Sequence, residues 1–222
     1  MIKLVAFDWN GTLLADTNAS VKAESKVLEH FGFKPTTVKE FQKTYDIPIK
    51  KYWIGMKMNE KLFERKADEI HGIFNKHYEP LENSCRSRAG TRVLLKWLKN
   101  KNILSIIYSN HPKEHIRKQL HRLGLSYLIN EILGRSQNDN SHLHARSKED
   151  KLKKFAAQNK IKPSEIISVG DTIEEIEIGT KLGLRTIALT GGYNSIKRLK
   201  AAKPDFLIHN LNEIPKIIQK LQ

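Results

Sequence analysis

The chain has 222 residues, of which 39% are hydrophobic and 28% charged, a composition typical of a folded protein with one substantial core. It contains no apolar run of the roughly 18 residues that a membrane span requires, and its single cysteine, Cys85, excludes an internal disulfide. The net charge of +15 is interspersed with acidic residues, so neither nucleic acid nor a membrane is expected as a partner, and a reducing cytoplasm is the expected compartment.

Short apolar runs predict buried strands, and amphipathic helices are predicted between them. The predicted strands are residues 2–7, 103–108, 166–169, 186–189 and 206–208. Apolar stripes with helical spacing fall at residues 93–98, 116–123 and 152–156. This alternation predicts an α/β fold, a doubly wound parallel sheet whose ligands bind at the carboxyl ends of the strands.

One long segment breaks the alternation. Residues 16–84 show helical patterns, for example over 21–31 and 62–74, and no convincing strand. We therefore expect two units, a core of residues 1–15 and 85–222 and an all-helical cap of residues 16–84. Because the cap is inserted directly after the first strand, it would cover the carboxyl ends of the strands.

Polar side chains follow several of the predicted strands. Asp8 follows the first strand, Ser109 the second, and Asp171 and Glu175 the third. Three carboxylates on one rim are unfavourable without a cation, and such oxygen ligands suit Mg²⁺. A serine hydroxyl and the ammonium of Lys148 beside them would bind the oxygens of a phosphoryl group.

The turn after the first strand is expected to contribute to phosphate binding. Gly11 permits a tight turn after Asp8, so that backbone N–H groups face the phosphate. The expected phosphate-binding set is Gly11, Thr12, Ser109, Asn110 and Lys148.

The order and spacing of these residues resemble the haloacid-dehalogenase-like hydrolases over essentially the whole chain. Residues 7–13, with sequence FDWNGTL, are similar to the first motif of that family, and residues 170–176 are similar to the fourth. Ser109 and Lys148 stand at the positions of the second and third motifs. The insertion resembles the family's helical cap of the first type. Residues 190–195 and 203–206 are similar to the phosphoglycolate-phosphatase-like branch.

The resemblance implies a phosphatase acting on a phosphorylated small molecule, as a monomer or homodimer. Asp8 would attack phosphorus and form an aspartyl-phosphate that water then hydrolyses. Mg²⁺ would be held by Asp8, Asp171 and the backbone carbonyl of Asn10, and by Glu175 directly or through water. The serine and the lysine of the second and third motifs would hold the phosphoryl oxygens.

Asn10 departs from the family pattern. Phosphatases of this family usually carry an aspartate at that position, which protonates the leaving group and then activates water. An amide cannot do this, and losing such help typically costs about 10² to 10⁴ in rate. The expected catalytic set is therefore Asp8, Asn10, Ser109 and Lys148, with Asn10 impaired for proton transfer.

Four hypotheses follow from Asn10. The chain is a slow phosphatase or one restricted to good leaving groups, or it uses another acid from the cap or from solvent. Alternatively it cleaves a phosphonate or carbon–halogen bond, or it binds phosphate ligands or partners without turnover. The first two together are favoured, because the acidic metal motif is retained. The histidines show no metal-ligand spacing, and His111 is interpreted as a solvated loop residue.

Overall fold

A computed structural model describes residues 1–136, Asp139, Leu143 and residues 148–221. In this part of the chain six strands form one parallel sheet in the order β3-β2-β1-β4-β5-β6. The strands are β1 (Leu4–Phe7), β2 (Leu104–Pro112), β3 (Glu131–Arg135), β4 (Ile166–Gly170), β5 (Arg185–Leu189) and β6 (Phe206–Ile208). The predicted doubly wound α/β fold is confirmed.

Helices cover both faces of the sheet and form the insertion. Those outside the insertion are α5 (Thr91–Asn100), α6 (Lys113–Arg122), α7 (Lys148–Gln158), α8 (Ile173–Leu182), α9 (Ile196–Ala201) and α10 (Ile214–Leu221). Those of the insertion are α1 (Thr17–His30), α2 (Val38–Thr44), α3 (Ile49–Gly55) and α4 (Glu60–Glu82). Among the described helices, none has both the length and the hydrophobicity to cross a bilayer.

The central strand β1 is buried on both faces, which explains its continuous apolar sequence. It pairs with β2 on one side and β4 on the other. Val5 and Phe7 belong to one hydrophobic cluster and Leu4 and Ala6 to another, because successive side chains of a strand point to opposite faces. Burial on two sides fixes β1 firmly, and with it Asp8, the next residue.

The sequence analysis missed β3. This strand lies at the edge of the sheet, and its sequence EILGR contains a glycine and two charged residues. Edge strands are covered less completely than central ones, so a strong apolar run is not required there. Strand β2 also extends beyond the predicted end at Tyr108, with a shift in register before Pro112.

The segment from 16 to 84 forms four helices with their own hydrophobic cluster. Phe41, Tyr52, Trp53 and Phe63 are among its fully buried side chains. Two adjacent linkers join the segment to the sheet: the N–H of Ala15 donates to the carbonyl of Arg86 at 2.8 Å, and that of Arg88 donates to Leu13 at 2.8 Å. We keep the name cap for this segment; its exact boundaries remain a prediction.

Candidate active site

A cavity of about 450 Å³ lies where the carboxyl ends of the strands meet the cap. The predicted site residues on its wall are Asp8, Asn10, Ser109, Asn110, Lys148 and Glu175. Gly11, Thr12 and Asp171 lie behind that wall. The fold thus gathers residues from four separate parts of the sequence at the switch point of the sheet, where α/β proteins bind ligands.

Lys148 contacts three carboxylates in this cavity. It is the first residue of α7 and is 1% exposed. Its Nζ lies 3.4 Å from Oδ1 of Asp8 and 2.9 Å from Oε2 of Glu174, and it also contacts Glu175. A buried ammonium is tolerated when carboxylates surround it at such distances.

The pKa values of Lys148 and Asp8 follow from this arrangement. Burial opposes the charge of Lys148, but Asp8, Glu174 and Glu175 outweigh burial and hold its pKa well above the ordinary value. Burial raises the pKa of Asp8 well above its usual range; Lys148 opposes that shift, while Glu175 and Asp171 add to it. An additional cation beside Asp8 would favour the ionised form of its carboxyl group.

The carboxylate of Glu175, which was predicted to bind the metal directly or through water, caps helix α8 and contacts Lys148; its part at the metal stays a prediction. Helix α8 begins with a capping box, in which the backbone N–H and the hydroxyl of Thr172 donate to Oε2 of Glu175 at 3.1 and 2.6 Å. The other oxygen, Oε1, contacts Lys148. Both oxygens of Glu175 are therefore occupied by protein groups, because a first-turn glutamate folds back to cap its own helix.

Glu174 is a site residue that the sequence analysis missed. Besides Lys148, its Oε2 accepts a hydrogen bond from Nδ2 of Asn110 at 2.9 Å. It is 3% exposed and lies on the cavity wall. Two adjacent glutamates in one helical turn look alike in the sequence, and only the direction of each side chain separates their roles.

Asp171 is held rigidly behind the wall. The hydroxyl of Thr12 donates to its Oδ1 at 2.5 Å, and the backbone N–H of Tyr193 donates to its Oδ2 at 2.6 Å. Burial, and then the charge of Glu175, raise its pKa to about 7, although these two hydrogen bonds oppose the shift. Thr12 therefore positions Asp171, and its hydroxyl points away from the expected phosphate.

Asn10 is part of a second buried network that the sequence analysis missed. Its Nδ2 donates to Oδ2 of Asp16 and to the hydroxyl of Tyr78, both at 2.8 Å. Asp16 is fully buried and also accepts from the backbone N–H of Gly11 and from the hydroxyls of Tyr78 and Tyr193, each at 2.7 Å. The N–H of Gly11 is thus directed to Asp16, away from the expected phosphate.

Ser109 and Asn110 lie in the irregular end of β2. Ser109 is 3% exposed, lines the cavity, and its Oγ accepts the backbone N–H of His111 at 3.3 Å. Nε of Arg135 donates to the carbonyl of Asn110 at 2.8 Å. The shift in strand register here turns both residues toward the cavity.

The interpretation of His111 as a solvated loop residue is wrong. His111 lies in β2 with its side chain 14% exposed, and its Nε2 is 2.8 Å from Oε1 of Glu82 in the cap. Nδ1 of His115 lies 3.6 Å from the other oxygen of Glu82. Burial would raise the pKa of Glu82, but His111 and His115 hold it below the ordinary value. No spacing along the chain indicates this contact, because Glu82 lies at the end of α4 whereas the two histidines lie in β2 and α6.

Comparisons with known proteins agree with this geometry. Residues 5–189 match the family described as haloacid dehalogenase-like hydrolase. A phosphoglycolate phosphatase of Haemophilus influenzae is 24% identical, over 97% of this chain and 98% of that protein.

Solved structures show the same fold. One is a protein of Clostridium acetobutylicum described as a predicted phosphatase, with a TM-score of 0.83 and 20% identity over 99% of both chains. Another is a haloacid dehalogenase-like family hydrolase of Streptococcus pneumoniae, with a TM-score of 0.81 and 17% identity over 98% of both chains. The chain therefore belongs to the haloacid dehalogenase-like hydrolase family, as a phosphatase-like hydrolase.

Proposed function

We propose that this chain hydrolyses small phosphate monoesters with Mg²⁺, through an aspartyl-phosphate on Asp8. The observation that carries the proposal is the 3.4 Å separation of Nζ of Lys148 from Oδ1 of Asp8 on the wall of the cavity. A carboxylate nucleophile beside a fixed cation, with Ser109 and Asn110 on the same wall, suits a transferring phosphoryl group.

The donor groups around Asp8 fit Mg²⁺. Asp8 and Asp171 are both buried, and the charge of Asp171 raises the pKa of Asp8, so a cation between them would relieve their repulsion. We infer that these two carboxylates and the backbone carbonyl of Asn10 would hold the ion, since hard oxygen ligands are what Mg²⁺ prefers. When bound, Mg²⁺ would offset negative charge on the phosphoryl oxygens.

The remaining steps are assigned to the chain's own residues. An oxygen of Asp8 attacks phosphorus, and the bond from phosphorus to the ester oxygen breaks. Lys148, Ser109 and the amide of Asn110 hold the phosphoryl oxygens in place. Water then attacks the phosphorus of the aspartyl-phosphate, which releases phosphate and restores the carboxylate of Asp8.

Proton transfer to the leaving group is the step for which this site lacks the usual catalytic group. Asn10 cannot donate the proton as a carboxyl does, and its Nδ2 is already directed to Asp16. Turnover is therefore expected to be fastest for esters whose leaving group is stable as an anion. The retained acidic groups favour phosphate-ester hydrolysis over carbon–halogen or phosphonate cleavage.

The competing proposal is a protein that binds phosphate ligands or a partner on the same scaffold without turnover. It is favoured by one observation, the amide of Asn10 held in the Asp16 network. Hydrolysis of p-nitrophenyl phosphate with and without Mg²⁺, in the wild type and in Asp8→Ala, separates the two. Mg²⁺-dependent release of nitrophenol that Asp8→Ala abolishes supports the enzyme; an inactive wild type that binds inorganic phosphate supports the binding protein.

A further inference from the structure

The cap contributes a group of aromatic and apolar side chains to the cavity, beside the polar residues Ser20, Glu24, His71, Asn75, Tyr78 and Glu79. We call this surface the cap wall; it consists of Phe41, Tyr45, Ile49, Trp53, Ile70 and Phe74. These side chains come from the cap, whereas the residues that would hold the phosphoryl group come from outside it, so we infer that the cap wall faces the part of a substrate that leaves. Such a surface gains free energy when it covers apolar atoms of a ligand.

The cap supplies no fixed positive charge to the cavity. Residues 16–84 are all described, and none of those that line the cavity is lysine or arginine. His71 is the one histidine among them; burial, and then the nearby charge of Arg135, lower its pKa to about 4, so it is neutral near pH 7.

Arg135, from the sheet, donates to backbone carbonyls, and its Nη2 lies 3.5 Å from Nε2 of His71 in the cap. Its Nε donates to the carbonyl of Asn110 at 2.8 Å, and its Nη1 donates to those of Ser136 at 3.3 Å and Asp139 at 2.9 Å. These bonds link Asn110, in the irregular end of β2, to Ser136 and Asp139, which follow β3. A substrate anion would have to compete with them for the guanidinium.

The buried carboxyl group of Glu24 indicates how the cap side of the cavity affects a negative charge. It lies on α1, lines the cavity and is 4% exposed, and no described group hydrogen-bonds to its Oε2. Burial raises its pKa well above the ordinary value. A carboxylate carried into the same space by a substrate would meet the same desolvation penalty.

We propose that the substrate of this chain has an uncharged, aromatic or apolar leaving group that packs on the cap wall, with a polar atom of that group hydrogen-bonded to Glu24. Esters with a second anionic group on the leaving side, phosphoglycolate among them, are poor substrates. The inference rests on the proposed phosphatase function and narrows it. It separates this chain from the relatives named phosphoglycolate phosphatase, which share only 24% identity or less.

A matched pair of esters tests the charge preference. Phosphoglycolate and its amide, phosphoglycolamide, have nearly the same size and differ in the charge of the leaving group. We expect kcat/KM of the wild type to be at least about tenfold higher for the amide, since burying an unpaired carboxylate costs more than 1.4 kcal/mol. Benzyl phosphate, which adds an aromatic ring, should be better still. Equal or higher kcat/KM for phosphoglycolate overturns the inference.

Binding to Asp8→Asn separates this inference from the proposed function. This variant lacks the nucleophile, so dissociation constants of the same esters can be measured by calorimetry without turnover. Benzyl phosphate should bind at least about tenfold more tightly than phosphoglycolate. If the wild type hydrolyses no ester but this ratio holds, the proposed function fails, whereas the preference of the cap wall for an uncharged ligand stands. Equal affinities, or no binding of either ester, overturn the inference.

Two substitutions at Glu24 test its part. Glu24→Gln keeps the size and adds no charge, so the preference for the amide should persist. Glu24→Lys places a cation at the cap wall and should lower the ratio of kcat/KM between the amide and phosphoglycolate at least about fivefold. A folded Glu24→Lys variant with an unchanged ratio contradicts the role of Glu24. If that variant does not fold, the wild-type ratio of kcat/KM between the amide and phosphoglycolate decides whether an uncharged leaving group is preferred.

Discussion

Asn10 donates its side-chain N–H to the fully buried carboxylate of Asp16 over 2.8 Å. Asp16 also accepts hydrogen bonds from Gly11, Tyr78 and Tyr193, so the amide completes a network of donors around one carboxylate. An ionised aspartate at position 10 would face another carboxylate and could not donate. The residue that departs from the family pattern is thus matched to its buried neighbour.

Asn10→Asp should raise turnover of an ester that needs a proton on its leaving group. Asp16 would keep the new carboxyl protonated to higher pH, which suits a general acid. We expect kcat for benzyl phosphate to rise at least about tenfold, and kcat for p-nitrophenyl phosphate to rise less because nitrophenolate leaves unaided. Steady-state kinetics with the two esters measure this. An equal gain for both would show that the new group does not act as an acid.

The same variant should lose stability as pH rises, since two carboxylates this close resist ionising together. Its free energy of unfolding, from urea titrations, should fall between about pH 5 and pH 8 relative to the wild type. In the double variant Asn10→Asp/Asp16→Asn the hydrogen bond is kept with donor and acceptor exchanged. That control should recover part of the lost stability, because the amide that replaces Oδ2 of Asp16 no longer accepts from Tyr78 and Tyr193; no recovery would contradict a direct interaction.

Lys148→Met should both abolish activity and destabilise the fold. The substitution leaves Asp8, Glu174 and Glu175 buried without their cation. Breaking a buried ion pair on one side typically costs about 3 to 5 kcal/mol, and urea unfolding should show a loss of that order. Adding Glu174→Gln should restore part of the stability but none of the activity. Full stability of Lys148→Met alone would contradict the ionised cluster.

Gly11→Ala should weaken Mg²⁺ binding, whereas Gly32→Ala should not. Both glycines have a positive φ, +71° and +77°, so an alanine is strained by about 1 to 2 kcal/mol at either. A Cβ at Gly11 would lie 2.2 Å from Oδ2 of Asp171, while nothing lies within 4 Å at Gly32. Calorimetric titration with Mg²⁺ should show weaker binding for Gly11→Ala alone. Equal affinities would remove Asp171 from the proposed metal site.

The metal-free protein should become less stable as pH rises, because Asp171 loses a proton that favours the folded state. Its pKa is about 7 in the folded protein against 3.8 ordinarily, so the folded state binds the proton more tightly than the unfolded state. This contribution is complete below pH 3.8 and is lost as pH rises through about 7. Unfolding in urea with a chelator, for the wild type and Asp171→Asn, measures it. The difference in free energy of unfolding between the wild type and Asp171→Asn should change between about pH 5 and pH 8.5. An equal difference at both pH values would contradict the raised pKa of Asp171.

The apolar runs predicted most of the sheet because burial on two faces requires them. Leu4 to Phe7 could be recognised as a central strand, whereas the edge strand Glu131–Arg135 could not, since partial exposure leaves no continuous apolar pattern. Asp8, Ser109 and Lys148 could be singled out because their distances along the chain match a known family. Their convergence on one cavity follows from parallel strands that end at the same edge.

The sequence by itself determined the α/β fold and the amide at Asn10, and it singled out Asp8 as the proposed nucleophile, because local patterns and residue identity carry that information. Only the tertiary structure showed that Glu175 caps helix α8 and that Glu174 forms an ion pair with Lys148. It also showed that Asn10 donates a hydrogen bond to Asp16. It also placed Glu24 on the wall of a cavity to which the cap contributes no lysine or arginine. These relationships depend on side-chain direction and on the packing of the cap over the strand ends, which no local pattern in the sequence encodes.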